Sequence, residues 1–123
     1  MNILHSVALG SVAILAGCGV IDPIACTANF VYGITVEVID SASQLPLADG
    51  ATMTLRDGSY VESVTDTFDG LRLSGAGERP GTYAVTVARP NYHTWSAVSP
   101  VVVTADQCHV IPVALRAPLQ LIP

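Results

Sequence analysis

Short runs in which apolar and polar side chains alternate, each closed by turn-forming residues, fill most of this chain and leave it few folds to choose from. A period of two is the mark of a strand buried on one face. Ile34, Val36 and Val38 alternate with Thr35 and Glu37, and residues 40–50 then carry Ser, Pro, Asp and Gly, the chemistry of a loop. Thr52 to Leu55 is a second strand, stopped by the hairpin signal Asp57-Gly58. Tyr60 to Thr65 and Leu71 to Leu73 are shorter strands flanking Asp69-Gly70, and Ser74 to Gly81 reads as a glycine-rich loop. Thr82 to Arg89 places Tyr83, Val85 and Val87 on one face. Pro90-Asn91 turns the chain into Tyr92 to Val98, and Val101 to Thr104 is a β-branched run. His109 to Leu115 closes the series, with Ile111, Val113 and Leu115 alternating. No amphipathic helix follows residue 17. Seven or eight short strands between turns imply an all-β, antiparallel sandwich.

The first residues follow a different rule. Ile3 to Gly17 is an apolar stretch broken only by His5, Ser6 and Ser11. It falls short of the roughly 20 apolar residues a membrane span needs, and its length suits the helical h-region of a secretory signal. It ends in Leu15-Ala16-Gly17-Cys18, which resembles the bacterial lipobox: a branched apolar residue, two small ones, then cysteine. Small residues let an extended chain enter a peptidase site, and the thiol accepts a diacylglycerol. The expectation is a signal peptide over 1–17, a membrane anchor on Cys18 and a tether over 18–29. Gly19 follows the cysteine in place of the Asp linked to inner-membrane retention, which favours the outer membrane in a two-membrane host. One acyl chain anchors only marginally, at about 0.8 kcal/mol per buried methylene, so a lipoprotein's two or three chains make attachment lasting.

The chain has 123 residues, and removing 17 leaves 106, enough for one modest core. The net charge is −5, with five scattered Arg and no Lys, so the clustered basic groups that nucleic acid demands are missing. Three cysteines in an exported chain would leave one odd thiol. Acylation of Cys18 removes it, and Cys26 and Cys108 are then expected to pair in an oxidising compartment, joining the tether to the start of the last strand. Two separately buried thiols are the alternative. A metal site on Cys108-His109 lacks a second cluster at ligand spacing.

Gly33 to Arg56, reading GITVEVIDSASQLPLADGATMTLR, resembles the opening of carboxypeptidase regulatory-like domains: a strand, a loop ending in Pro-Leu, an Asp/Gly/Ala stretch and a second strand. Pro80-Gly81-Thr82-Tyr83 followed by Ala-Val-Thr-Val is similar to their Pro-Gly-x-Tyr strand, and Pro90-Asn91-Tyr92 stands where a Gly-Tyr pair is usual. The resemblance covers residues 30–116 and implies a seven-stranded, transthyretin-like (prealbumin-like) Greek-key β-sandwich, leaving 117–123 as a tail. Asn91 replaces a Gly, which Asn's tolerance of left-handed backbone makes mild. Ser43-Gln44 stands where Thr-Gly is common. In related proteins such a domain is an accessory module of larger enzymes or receptors.

The same fold has an enzymatic branch that hydrolyses 5-hydroxyisourate with two His, an Arg and a Tyr-Arg-Gly-Ser tail. This chain ends Ala117-Pro118-Leu119-Gln120-Leu121-Ile122-Pro123 and has no counterpart. No Gly-x-Ser-x-Gly or triad order occurs. His93 is expected on a strand surface, and His109, on the face of Ile111 and Val113, as a half-buried, hydrogen-bonded residue. Asp57, Asp66 and Asp69 are candidate Ca²⁺ ligands at one end of the sandwich, and Asp-Gly turns account for them more simply. Trp95, Tyr92 and Tyr60 form a candidate binding patch, with core or edge packing the simpler role for a lone Trp. No catalytic residue, metal or cofactor is implied. The expected role is a structural or binding module in the cell envelope, meeting a protein or a carbohydrate. The rivals are an accessory subunit of an envelope enzyme or transporter, and an atypical hydrolase built on Asp66 and Asp69.

Overall fold

The computed structural model describes Gly17 and residues 24–123, and the chain there is two β-sheets packed face to face without a helix. Eight strand segments run in chain order: β1 Tyr32–Asp40, β2 Thr52–Asp57, β3 Tyr60–Val64, β4 Arg72–Gly77, β5 Gly81–Ala88, β6 Trp95–Ser96, β7 Val101–Val103 and β8 Val113–Leu119. One sheet has the order β4-β1-β8, and the other β3-β2-β5, with β6 and β7 both on the free edge of β5. The alternation predicts the core: Ile34, Val36, Val38, Met53, Leu55, Tyr83, Val85 and Val87 are all buried between the sheets. Leu55 pairs with Val85 and Met53 with Val87, so this sheet offers matched apolar neighbours to the β4-β1-β8 sheet.

The count of strands turns on one bulge. Thr86 faces Ser96 and Tyr83 faces Val101, so four residues, 97–100, lie opposite two, 84 and 85. β6 and β7 are therefore one edge strand broken in the middle, eight segments along seven lines. The expected strand Tyr92 to Val98 shrinks to its centre because Ser99-Pro100 cannot continue the ladder.

Three local expectations are corrected. Ser74 to Gly81 is not a loop: residues through Gly77 belong to β4, which pairs antiparallel with β1. Its glycines mark close approach, since a Cβ on Gly75 would meet the Glu62 carboxylate at 2.7 Å and the Leu55 side chain at 2.8 Å. The last strand is Val113–Leu119, not His109 to Leu115. Ala105 and Val110 bridge to each other, the Asp106 carboxylate accepts the Cys108 and His109 N–H groups, and Ile111 is left exposed. The supposed tail from Ala117 thus begins inside β8, where Ala117 and Leu119 are fully buried. The sandwich is also not wholly antiparallel: β8 runs parallel to β1, from Ile34 opposite Val113 to Asp40 opposite Leu119. After β7 the chain crosses to the other sheet and comes in beside the start of β1, so the two strands share a direction.

Turn chemistry agrees with the sequence reading. Gly58 takes φ +59° at the first position of the two-residue β2–β3 hairpin. Asn91 takes φ +70° after Pro90, in a turn closed by Tyr92 N–H to the Arg89 carbonyl at 3.1 Å, the type II pattern. Pro80-Gly81-Thr82-Tyr83 has a mechanical meaning as well. The buried Tyr83 hydroxyl donates to the Arg79 carbonyl at 2.7 Å, pinning the corner from which β5 departs.

Candidate binding cleft

The structure brings some predicted residues together and separates others. Cys26 and Cys108 form a disulfide, with Cα atoms 5.2 Å apart. Parallel pairing explains the meeting: each cysteine precedes one of two neighbouring strands that start at the same end. Cys108 lies in the turn before β8 and not in the strand itself. Of the lipobox, Gly17 is described and exposed, while Leu15, Ala16 and Cys18, like the expected signal helix, lie outside the described residues.

His109 is half-buried and bonded at both ring nitrogens, Nδ1 to Glu78 Oε1 at 2.7 Å and Nε2 to Thr27 Oγ1 at 3.0 Å. Glu78 also accepts the Val31 N–H at 2.8 Å. Burial pushes the Glu78 carboxyl up, but the His109, Val31 and Val110 bonds outweigh it and leave the group below its ordinary value. These contacts lace the segment before β1 to the body beside the disulfide. His93 is exposed, with its backbone N–H bonded to the Gln120 carbonyl at 2.9 Å.

The three aspartates do not converge. Asp57 pairs with Arg79 at 2.9 Å, whose guanidinium lies 3.7 Å from the Tyr60 ring centre. Asp69 closes its own turn: it accepts the Leu71 and Arg72 N–H groups at 2.9 Å and the Arg72 guanidinium at 2.7 Å. Those bonds, the Leu71 amide first, hold its carboxyl down to about 2. Among the described residues no three His, Cys, Asp or Glu side chains are grouped to hold a metal. The aromatic patch dissolves too, because Tyr60 packs under Arg79 and against Tyr83, Tyr92 bonds Asp40 at 3.0 Å, and Trp95 is half-buried against the core.

A different patch takes its place. Where the sheets meet along β3 and β4, a cleft of about 340 Å³ is lined by Tyr32, Glu62, Val64, Asp66, Phe68, Arg72 and Ser74. Its shape has a local cause. Gly33 and Ala76 are both buried, each next to a buried neighbour, and Ala76 takes φ +53°. A Cβ on Gly33 would meet the Val103 side chain, so position 33 faces the core and alternation is reset on both strands at once. Tyr32 is thereby turned to the outer face, toward Ser74. The Phe30 ring packs on Gly77 and meets Tyr32 edge-on at 5.1 Å, bracing it.

The other wall is anchored by Glu62. Its Oε1 accepts the Tyr60 hydroxyl at 2.8 Å and the Ala76 N–H at 3.1 Å, so one carboxylate spans the two sheets. Asp66 makes no hydrogen bond or ion pair with other described residues, and Phe68 stands fully exposed at the rim. Sequence reasoning weighed Asp66 as a cation ligand and missed the rest. The signal was present in Thr-Asp-Thr-Phe-Asp-Gly, a large aromatic in a polar turn with no core to enter. Compared with known proteins, the chain matches no family model and no curated relative.

Proposed function

We propose that this chain is an exported, lipid-anchored, non-catalytic binding module of the cell envelope, built on a carboxypeptidase regulatory-like, transthyretin-like Greek-key sandwich. The observation that carries it is the disulfide between Cys26 and Cys108. Such bonds persist in oxidising compartments, and this one leaves Cys18, behind its Leu-Ala-Gly sequence, as the unpaired cysteine of the three. The family reading is supported by backbone geometry at the two departures from its pattern. Gln44 and Asn91, which stand where Gly is common, take φ +63° and +70°, values Gly adopts freely. Further support comes from Tyr83, whose corner bond gives the Pro-Gly-x-Tyr strand a structural purpose.

A binding role fits better than a hydrolase. Asp69 is consumed by its own turn, leaving Asp66 without the paired acid that the alternative needs. The test is fractionation of the full chain expressed in a bacterial host. Wild type is expected in the membrane fraction with an acylated N-terminal Cys18, and Cys18→Ala in the soluble exported fraction. Unchanged membrane retention of Cys18→Ala, or a cytosolic chain still bearing Met1, overturns the proposal.

A further inference from the structure

We propose that the cleft between β3 and β4 binds a neutral saccharide, an assignment that rests on the binding-module reading and names its ligand. The first observation is the aromatic surface. Phe68 is fully exposed on one rim, and Tyr32, 43% exposed and braced by Phe30, stands on the other. An aromatic ring left in water on a turn gains by covering the apolar C–H face of a sugar ring, as aromatic side chains do wherever one end is apolar and the other wet. The second observation is the polar set. Asp66 offers free carboxylate oxygens, Arg72 offers N–H donors, and Ser74 carries a hydroxyl already bonded to Thr35 Oγ1 at 2.9 Å.

That mixture of donors and acceptors selects the ligand class. An organic cation needs acceptors only, and it would leave the Arg72 N–H groups not taken by Asp69 without an acceptor. An anion is repelled by Asp66 and Glu62. Hydroxyl groups donate and accept, so they satisfy both kinds of group at once. The cleft, at about 340 Å³, lies at the small end of ligand sites, which suits one or two sugar rings. Its walls are built and not incidental: Glu62 is fixed from β4 by the Ala76 amide, and Asp69 fixes the turn that carries Asp66 and Phe68.

The experiment is titration of the full chain with soluble β-linked glucose, β-linked N-acetylglucosamine and α-linked glucose hexasaccharides, followed by backbone amide shifts, with choline as the cationic probe. Binding of at least one hexasaccharide is expected, with shifts at Tyr32, Val64, Phe68 and Ser74. Phe68→Ala is expected to weaken it about tenfold, and Asp66→Asn about threefold, with melting temperature unchanged because both side chains are exposed. Val98→Ala, on the bulge beside β5, is expected to leave binding intact. No shift with any hexasaccharide, binding indifferent to Phe68→Ala, or choline binding in place of the sugars overturns the assignment. Cross-linking of wild type and Phe68→Ala in the envelope separates the two levels: a partner held equally by both removes the saccharide and keeps the binding module.

Discussion

The two seams of the sandwich are closed by different means. Along β8 and β6 the chain uses its own backbone: His93 N–H donates to the Gln120 carbonyl and Ile122 N–H to the Asn91 carbonyl, each at 2.9 Å, with Tyr92 and Leu121 bridged between them. Along β4 and β3 the strands are joined through one side chain, Glu62 reaching Ala76. Successive backbone bonds draw two segments to the spacing of a ladder, and the space left there, about 190 Å³ at His93, Trp95 and Gln120, is smaller than the cleft's 340 Å³. A single carboxylate holds two strands at arm's length, and the space beside it is the cleft. The same fold thus closes one seam with backbone and leaves the larger opening along the other.

The largest expected effect comes from the staple. Cys26–Cys108 joins the approaches to β1 and β8 across a sequence separation of 82 residues. In the chain-entropy model a loop of that length contributes at most about 4.5 kcal/mol. Cys26→Ser/Cys108→Ser is expected to lose most of that in denaturant unfolding, and amide exchange should quicken in β8 before β4. Earlier loosening of β4 would break the comparison, since the bond would then not serve the closed seam. Next in size is Glu62→Ala, which strands the Ala76 N–H and the Tyr60 hydroxyl. A cost of about 1–3 kcal/mol is expected, with faster exchange at Ala76. Glu62→Gln keeps an acceptor oxygen and should cost less. Equal costs for the two would mean that hydrogen bonding to Ala76 does not hold this seam.

What the sequence made legible was whatever one segment decides by itself. The buried face of β1 follows from Ile34, Val36 and Val38, and the turn at Pro90-Asn91 follows from the backbone its residues tolerate. The cysteine pairing was legible by counting. The extension of β4 beyond Leu73 was not, because its glycines are explained only by Glu62 and Leu55 arriving from the other sheet. Nor was the direction of β8, since Val113 alternates equally well beside a parallel or an antiparallel neighbour. Of the cleft, Asp66 was noticed only together with Asp57 and Asp69, which the fold does not bring to it, and Tyr32 could not be placed because the reset at Gly33 and Ala76 involves both strands. Partner-dependent features escape a period read along one strand.

Closure by backbone can be tested with little disturbance. Ile122→Pro deletes one donor to the Asn91 carbonyl at an exposed position, and about 1 kcal/mol should be lost. If unfolding is unchanged, the pairing of 91–93 with 120–122 contributes nothing and the two seams differ only in shape.

Acid should act most gently, and on the open seam first. The Asp69 carboxyl, held to about 2 by the Leu71 and Arg72 amides and by the Arg72 guanidinium, lies below its unfolded value near 3.8. A depressed carboxyl stabilises the fold above the unfolded value and loses that contribution as pH falls through the folded one. The window is therefore about pH 4 down to 2, and stability there should fall with acidification and not rise. Because Asp69 closes the turn carrying Asp66 and Phe68, the first sign should be faster amide exchange at Leu71 and Arg72 while β8 stays protected. Asp40 is lowered as well, by the Ser43 amide and the Tyr92 hydroxyl, so the closed seam carries an acid-sensitive bond of its own. Asp69→Asn keeps an oxygen for the amides and should flatten the pH dependence of the turn without touching that of Tyr92. Should the turn loosen with the same pH profile in Asp69→Asn as in wild type, the carboxylate is not its latch, and the rim of the cleft is held by something else.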